Sequence, residues 1–312
     1  MTTTVSKPEP QMANQMANRA ISGLLAVKPL WNVAKWQARS MMIKRAERLG
    51  IPWHETVQQF ESHDWQSDWQ SIQDADLTYQ GKYKASFHGY DEGHLCWQAA
   101  FEFEVASNAV HSSLFPEAGA HSDAKLRQSY HDVLKAKLPF QPESILDLHC
   151  TVGLSTFALR SLYPQAQITG LTFSPHYLSV AHYQAQQRNE PTIDWVHALP
   201  ESTGLADQSF DLVSTFLLFH EMPQRTIRKI FQEARRLVKP GGCFTFMDMN
   251  PNSSVYATMP SYVMTLLKST EPFMDQYYAL DVEAALLAAG FDEVTETTNS
   301  PRHRTVIARV RI

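Results

Sequence analysis

Only three cysteines occur in the 312 residues. Cys96, Cys150 and Cys243 are odd in number and far apart, so they fit neither a disulfide framework nor a metal spacing. That usage points to a reducing, cytoplasmic setting. Glycine is scarce too, with 12 residues against 17 prolines, which excludes collagen-like and wholly disordered chains. Positive charge is not in excess. Lys and Arg number 27, Asp and Glu 32, and the formal charge of −5 argues against a protein that grips nucleic acid. Long apolar runs are missing: Ala20–Val27 and Val213–Phe219 fall far short of the roughly 20 residues that span a bilayer. No basic region precedes an apolar stretch at the start, so no secretory signal is expected. Neither a phosphate-cradling GxGxxG nor a metal-ligand cluster is visible in the spacing, and no metal is expected.

What is present is ordinary for a globular protein: 44% apolar and 19% charged residues, in a chain long enough for one large domain or two modest ones. Residues 1–18 are polar and read as a disordered tail. Residues 19–120 read as a helical cap. Its first part, 19–48, sets seven basic residues against the single acid Glu47, with Leu24, Trp31, Trp36 and Met41 between them. Pro29 is expected to split that part into two helical pieces. A basic amphipathic stretch of this kind suits either a helix packed on its own protein or peripheral contact with an anionic membrane, and the packed helix is the favoured expectation. Residues 53–103 are rich in aromatics. Trp97, Phe101 and Val105 share one helical face, and Trp97, Phe101 and Phe103 are suited to close the edge of the following domain. Ser122 is expected to cap a helix carrying Leu126, Tyr130, Val133 and Leu134.

After Pro142 the pattern becomes regular. Strands are expected at Ser144–His149, Ala166–Phe173, Thr192–His197, Phe210–Leu217 and Cys243–Asp248, with helices between most of them. Ser174-Pro175 starts one helix, and Lys239-Pro240-Gly241-Gly242 stops another. Alternating βα units mean a parallel sheet with helices on both faces. Phe291–Thr298 and Thr305–Ile312 read as an antiparallel pair at the sheet's end. The expected fold is α/β: a Rossmann-like, seven-stranded, mostly parallel sheet with an antiparallel last strand in residues 121–312, plus the N-terminal cap.

Ligands of such sheets bind beyond the carboxyl ends of the strands. The first strand delivers Asp147, then His149, Thr151 and Gly153 ahead of a helix. Asp147 suits a cationic or hydroxyl-bearing group or orders its own loop; Gly153 suits close ligand approach or tight strand–helix packing. His220-Glu221 leaves the fourth strand and Asp248-Met249-Asn250 the fifth, at the same edge. His220 or Glu221 can serve as a general base, or pack behind the site.

The segments LDLHCTVGLS, GLTFSP, LADQSFDLVSTFLLFHEMP and EARRLVKPGG, in this order and spacing, resemble the class I S-adenosylmethionine-dependent methyltransferases. Within these they are most similar to the quinone- and tocopherol-C-methyltransferase-like (type 11) branch. The HGYDEGHLCWQAAFEFE segment resembles uncharacterised cyanobacterial and plastid members. The resemblance covers roughly three-fifths of the chain. It implies S-adenosyl-L-methionine as cofactor, bound by Asp147, His149, Thr151, Gly153, Thr172, Phe173, Leu199, Pro200 and Phe216, with Glu201 near the adenine. It implies catalysis by His220, Glu221 and Asp248 on a small, apolar or aromatic molecule. His149 and Thr151 stand where the family has glycine. Thr172 replaces the acid that takes the ribose hydroxyls, and Leu199 the acid that reaches the adenine. These departures also suit a non-catalytic binding or scaffold protein, the alternative expectation.

Overall fold

The computed structural model describes residues 28–190 and 192–312. The 1–18 tail and residues 19–27 of the basic segment lie outside the described residues. The described part opens with α1 (Lys28–Arg48), α2 (Trp53–Glu61), α3 (Gln66–Ile72), α4 (Trp97–His111) and α5 (Ser122–Lys137). Pro29 does not split α1. It sits in the first turn, where the missing N–H has no helical partner to lose. Arg39 of α1 is bound by both carboxylate oxygens of Glu102 in α4, so the basic face is partly fastened to the protein, whereas Trp36 and Met41 stay exposed. No described helix is long and apolar enough to cross a membrane.

The sheet is built from β1 (Ser144–Asp147), β2 (Gln167–Thr172), β3 (Asp194–His197), β4 (Phe210–Phe216), β5 (Val238–Met249), β6 (Glu293–Thr298) and β7 (His303–Arg309), in the order β3-β2-β1-β4-β5-β7-β6. β7 runs antiparallel between β5 and β6, and the remaining neighbours pair in parallel. Between them run α6 (Leu154–Leu162), α7 (Pro175–Gln187) and α8 (Gln224–Leu237). α9 (Ser254–Ala257), α10 (Ser261–Thr270), α11 (Met274–Tyr278) and α12 (Val282–Ala288) join β5 to β6.

Alternation along the strands feeds two cores. Leu146, Val213, Phe244 and Phe246 pack with Ile227, Phe231 and Leu286 on one face. Ile145, Leu212 and Met247 pack with Leu126, Leu134 and Leu159 on the other. Tyr130 of α5 is fully buried there, with its hydroxyl 2.8 Å from Ser214 Oγ and 2.7 Å from Thr245 Oγ1, pinning the helix across β4 and β5.

Two local expectations change. The helix does stop just ahead of Lys239–Gly242, at Leu237, but the strand begins earlier than Cys243: β5 already starts at Val238, which pairs with Phe210 across a register shift. The strand tolerates this because a Cβ on Gly242 would lie 2.7 Å from the Asp211 carbonyl, so only glycine fits there. Ser122 is not an N-cap. It is the first residue of α5, and its hydroxyl donates backward to the carbonyls of Phe115 and Gly119. Ser174 does cap α7, accepting from the Tyr177 N–H at 3.2 Å.

Candidate active site

The carboxyl ends of β1, β2, β4 and β5 meet at one edge, and that edge is covered. The covering strap is residues 74–96, the link between α3 and α4. Along the β3 side, His197 Nδ1 accepts the Asp74 N–H at 2.9 Å. Its Nε2 lies 2.9 Å from the Tyr79 hydroxyl and 3.1 Å from the Phe173 carbonyl. Further on, Lys82 and the Tyr83 hydroxyl both donate to Glu201. Burial pushes the Tyr83 phenol far up, so it stays a donor. Beyond β5, the His88 imidazole meets Glu271 at 2.9 Å. At the strap's end the His94 carbonyl accepts the Ser174 hydroxyl at 2.6 Å.

The edge is therefore closed by Tyr83 and His94, not by Trp97, Phe101 and Phe103. Trp97 and Phe101 pack with Trp65, and Phe101 also with Phe60, while Phe103 meets Tyr177. The helical face of Trp97, Phe101 and Val105 is real: Phe101 and Trp97 belong to a cluster that the cap shares with Val152 of the β1 loop and with Tyr177 and Val180 of α7, while Val105 packs with Trp53 inside the cap.

Under the strap lie most of the expected site residues. Asp147 is fully buried at the tip of β1. Its Oδ2 accepts from Ser155 Oγ at 2.6 Å and Thr156 Oγ1 at 2.7 Å, and its Oδ1 has no hydrogen-bond partner. Burial raises its pKa, and the two hydroxyls only partly offset this. The loop then turns through Thr151 (φ +49°) and Gly153 (φ +89°). A Cβ on Gly153 would lie 2.8 Å from the Phe157 ring, so this glycine serves tight strand–helix packing. His149 lies parallel to Phe173 at 5.6 Å and to His94 at 5.9 Å. Neither of its ring nitrogens has a hydrogen-bond partner, and burial pushes it down to about 3. Thr172 is fully buried and accepts weakly from the Ser174 N–H at 3.4 Å. Glu201 does not face a vacant ring site; it fastens the strap.

Phe216 is not part of this cluster. It shares the strand parity of Leu212, which turns it to the opposite face, against Tyr130 and beneath the Arg127 guanidinium at 4.2 Å.

His220, Glu221 and Asp248 do converge. His220 Nδ1 is 2.8 Å from Asp248 Oδ1. Asp248 is fully buried and also accepts the N–H groups of Phe219 at 2.6 Å and Met249 at 2.7 Å. Burial alone favours a neutral imidazole, but Asp248 and then Glu271 outweigh it, so His220 keeps its proton above the usual range. Burial holds Glu221 well above the carboxylate range, and Glu271 and Asp248 add to this. Sequence reasoning missed His88, His94 and Glu271. They come from the strap and from the end of α10, and no local spacing connects them to His220. The paired histidines in HGYDEGH were the available signal.

Comparison with known proteins places this geometry. A profile described as a methyltransferase domain matches residues 145–242, from β1 into β5. An uncharacterised methyltransferase of Synechocystis is 30% identical over 168 residues, covering 54% of this chain and 76% of that protein. The chain belongs to the class I S-adenosylmethionine-dependent methyltransferases. The demethylmenaquinone methyltransferase of Thermotoga maritima is 28% identical over 152 residues, 49% of this chain and 63% of that protein. A malonyl-[acyl-carrier protein] O-methyltransferase of Coxiella burnetii is 27% identical over 195 residues, 56% of this chain and 65% of that protein. The chain thus spans just under two thirds of these two relatives. Among solved structures, a Methanococcus maripaludis protein assigned to the S-adenosylmethionine-dependent methyltransferases superposes with a TM-score of 0.53. It is 15% identical and covers 70% of this chain and 94% of its own, a likeness of fold.

S-adenosyl-L-methionine is the cofactor of this methyltransferase family. The residues at the β1 loop fit its polar end, because Asp147 Oδ1 is a buried acceptor without a donor. Phe173 is covered by Tyr83, ring to ring at 4.4 Å, so a ligand reaches Phe173 only when the strap moves.

Proposed function

We propose that this methyltransferase acts on a small apolar or aromatic molecule through an acidic O–H group, bound where the strap meets the ends of β4 and β5. Bound at the β1 loop, S-adenosyl-L-methionine supplies an electrophilic methyl group on a sulfonium. Asp147 and the turn at Thr151–Gly153 hold its polar end, and Phe173, Leu199 and Pro200 flank its adenosine end. The chain's own contribution is positioning, exclusion of water and the handling of one proton.

The observation that carries this reading is the His220–Asp248 pair. Asp248, itself fixed by two backbone N–H groups, holds the His220 Nδ1–H and leaves Nε2 turned toward Glu221 and Glu271, at 4.0 and 3.9 Å, without a hydrogen bond. Once deprotonated, Nε2 can take the proton of an acceptor hydroxyl, and Asp248 stabilises the imidazolium that results. Phe87, Phe173 and Tyr177, with ring centroids 5.2, 5.7 and 5.1 Å from that of His94, provide apolar walls suited to an aromatic acceptor. The curated relatives include one named for demethylmenaquinone, which agrees with such an acceptor.

The test is methyl transfer to a panel of phenols and hydroquinones. His220→Gln should lower kcat by about 10²–10⁴-fold with little change in S-adenosylhomocysteine affinity. Because His220 holds its proton above the usual range, wild-type turnover should rise with pH through neutrality and beyond, and the variant should lose that dependence. Undiminished turnover in His220→Gln would remove the base from this reading.

A further inference from the structure

We infer that the strap and the sheet edge together form a binding site for one divalent transition-metal ion, with His88, His220 and Glu271 as ligands. Their ligand atoms all lie within 4.8 Å of one another. His88 Nε2 is 2.9 Å from Glu271 Oε1, and His220 Nε2 is 3.9 Å from Glu271 Oε2. The second separation is too long for a hydrogen bond. It matches the roughly 3–4 Å between donor atoms that share an ion bonded at about 2.0–2.2 Å.

Two independent features point to a ligand. Glu271 Oε2 is buried and has no hydrogen-bond partner, and its side chain is only 7% exposed. A carboxylate oxygen left bare in the interior is costly unless a cation meets it. His220, in turn, is oriented as metal-bound histidines are: its distal nitrogen is bonded to a buried carboxylate, Asp248, which fixes the tautomer and aims Nε2 inward. His88 is the accessible member, with its side chain 39% exposed, and gives the ion a way in.

A second set, His88, His94 and Glu221, shares His88 with the first. His88 offers one ligand nitrogen, so the two sets compete for a single ion. The first is preferred because it alone carries the carboxylate-backed histidine. Two imidazoles and a carboxylate suit Zn²⁺ or Fe²⁺ over Mg²⁺ or Ca²⁺, which take all-oxygen sites.

An ion on His220 Nε2 occupies the lone pair that the proposed base uses, so the metal-loaded and base-competent forms exclude one another; the test of the metal site needs neither methyl donor nor acceptor. The full-length, tag-free protein is stripped with a chelator and titrated with Zn²⁺ against a chromophoric competitor, with Mg²⁺ as control. Co²⁺ is added separately, for its visible absorption. One Zn²⁺ per chain is expected, with no competition from Mg²⁺ and a Co²⁺ spectrum showing mixed nitrogen and oxygen ligation. Glu271→Gln and His88→Ala should each weaken Zn²⁺ binding by at least about tenfold. Asp248→Asn, which keeps all three ligands, should weaken it by about 10–100-fold. Circular dichroism confirms that each variant is folded. Substoichiometric Zn²⁺, affinity indifferent to Glu271→Gln and His88→Ala, or loss confined to His94→Gln would each overturn the site as assigned.

Discussion

The strap that closes the cofactor edge makes a quantitative demand on binding. Lys82 and Glu201 are both nearly buried, with side chains 6% and 7% exposed, and the Tyr83 hydroxyl takes the second carboxylate oxygen. Glu201→Gln keeps an acceptor for Tyr83 but removes the charge opposite Lys82, leaving the ammonium with Thr226 Oγ1 at 2.9 Å. A hydrogen bond to a charged group is worth about 1.5–3 kcal/mol. At about 1.4 kcal/mol per factor of ten, the equilibrium for lifting the strap should shift by roughly 10- to 150-fold. If the cofactor enters only the lifted form, apparent affinity is reduced by the fraction of molecules that are lifted, and the substitution restores it. S-adenosylhomocysteine should therefore bind Glu201→Gln more tightly than wild type, by up to that same factor, in calorimetry at constant pH. Hydrogen exchange should accelerate across residues 74–96 while the amides of β1, β4 and β5 stay protected. Weaker or unchanged affinity, with the strap demonstrably loosened, would refute the reasoning and show that the closed strap helps to build the cofactor site.

Three further outcomes follow from the packing. Gly170→Ala would set a Cβ 2.5 Å from the Trp195 ring and 3.2 Å from Thr156 Oγ1, so thermal denaturation should show a loss of about 1–3 kcal/mol. Tyr130→Phe leaves Ser214 and Thr245 without their shared buried partner between β4 and β5 and should cost about 1–2 kcal/mol in urea unfolding, with no change in m. His149 is held down to about 3 in the fold, against an ordinary value of about 6.5. The unfolded chain therefore takes up a proton that the folded one refuses, so this contribution is complete above about pH 6.5 and is lost as pH falls toward 3. His149→Phe, which preserves the parallel stacking on Phe173, should flatten the fall in melting temperature across that window.

The parts of the site that were legible in the sequence are those fixed by local order. A strand, a tight turn and a helix must follow one another around Asp147, because Ile145 and Leu146 alternate between two cores and Gly153 supplies a positive φ. His220 and Asp248 were readable for the same reason, since each leaves the carboxyl end of a parallel strand and such ends share one edge. Phe216 was misplaced by a single step of strand parity. Which face a terminal residue takes depends on the pairing partner, and β4 carries it to the face that α5 covers. The Lys-Pro-Gly-Gly stretch reads as a stop in isolation, yet Gly242 also lets β5 pass within contact of Asp211, and pairing with β4 decides between those uses.

By itself, then, the order of apolar runs, caps and glycines determined a βα-alternating sheet ending in an antiparallel pair, because hydrophobic periodicity and turn chemistry act over a few residues. Tertiary structure alone decided what covers the site. The aromatic cap residues could have closed the edge or, as they do, packed against α7 and the side of the β1 loop, and both uses bury apolar surface. The choice went to the strap because Glu201, His197, Ser174 and Glu271, scattered along the chain, each offer a buried polar partner to residues 74–94. A buried polar group must be satisfied wherever its partner lies in the chain, and those partnerships span from 80 to more than 180 positions, beyond the reach of any local pattern.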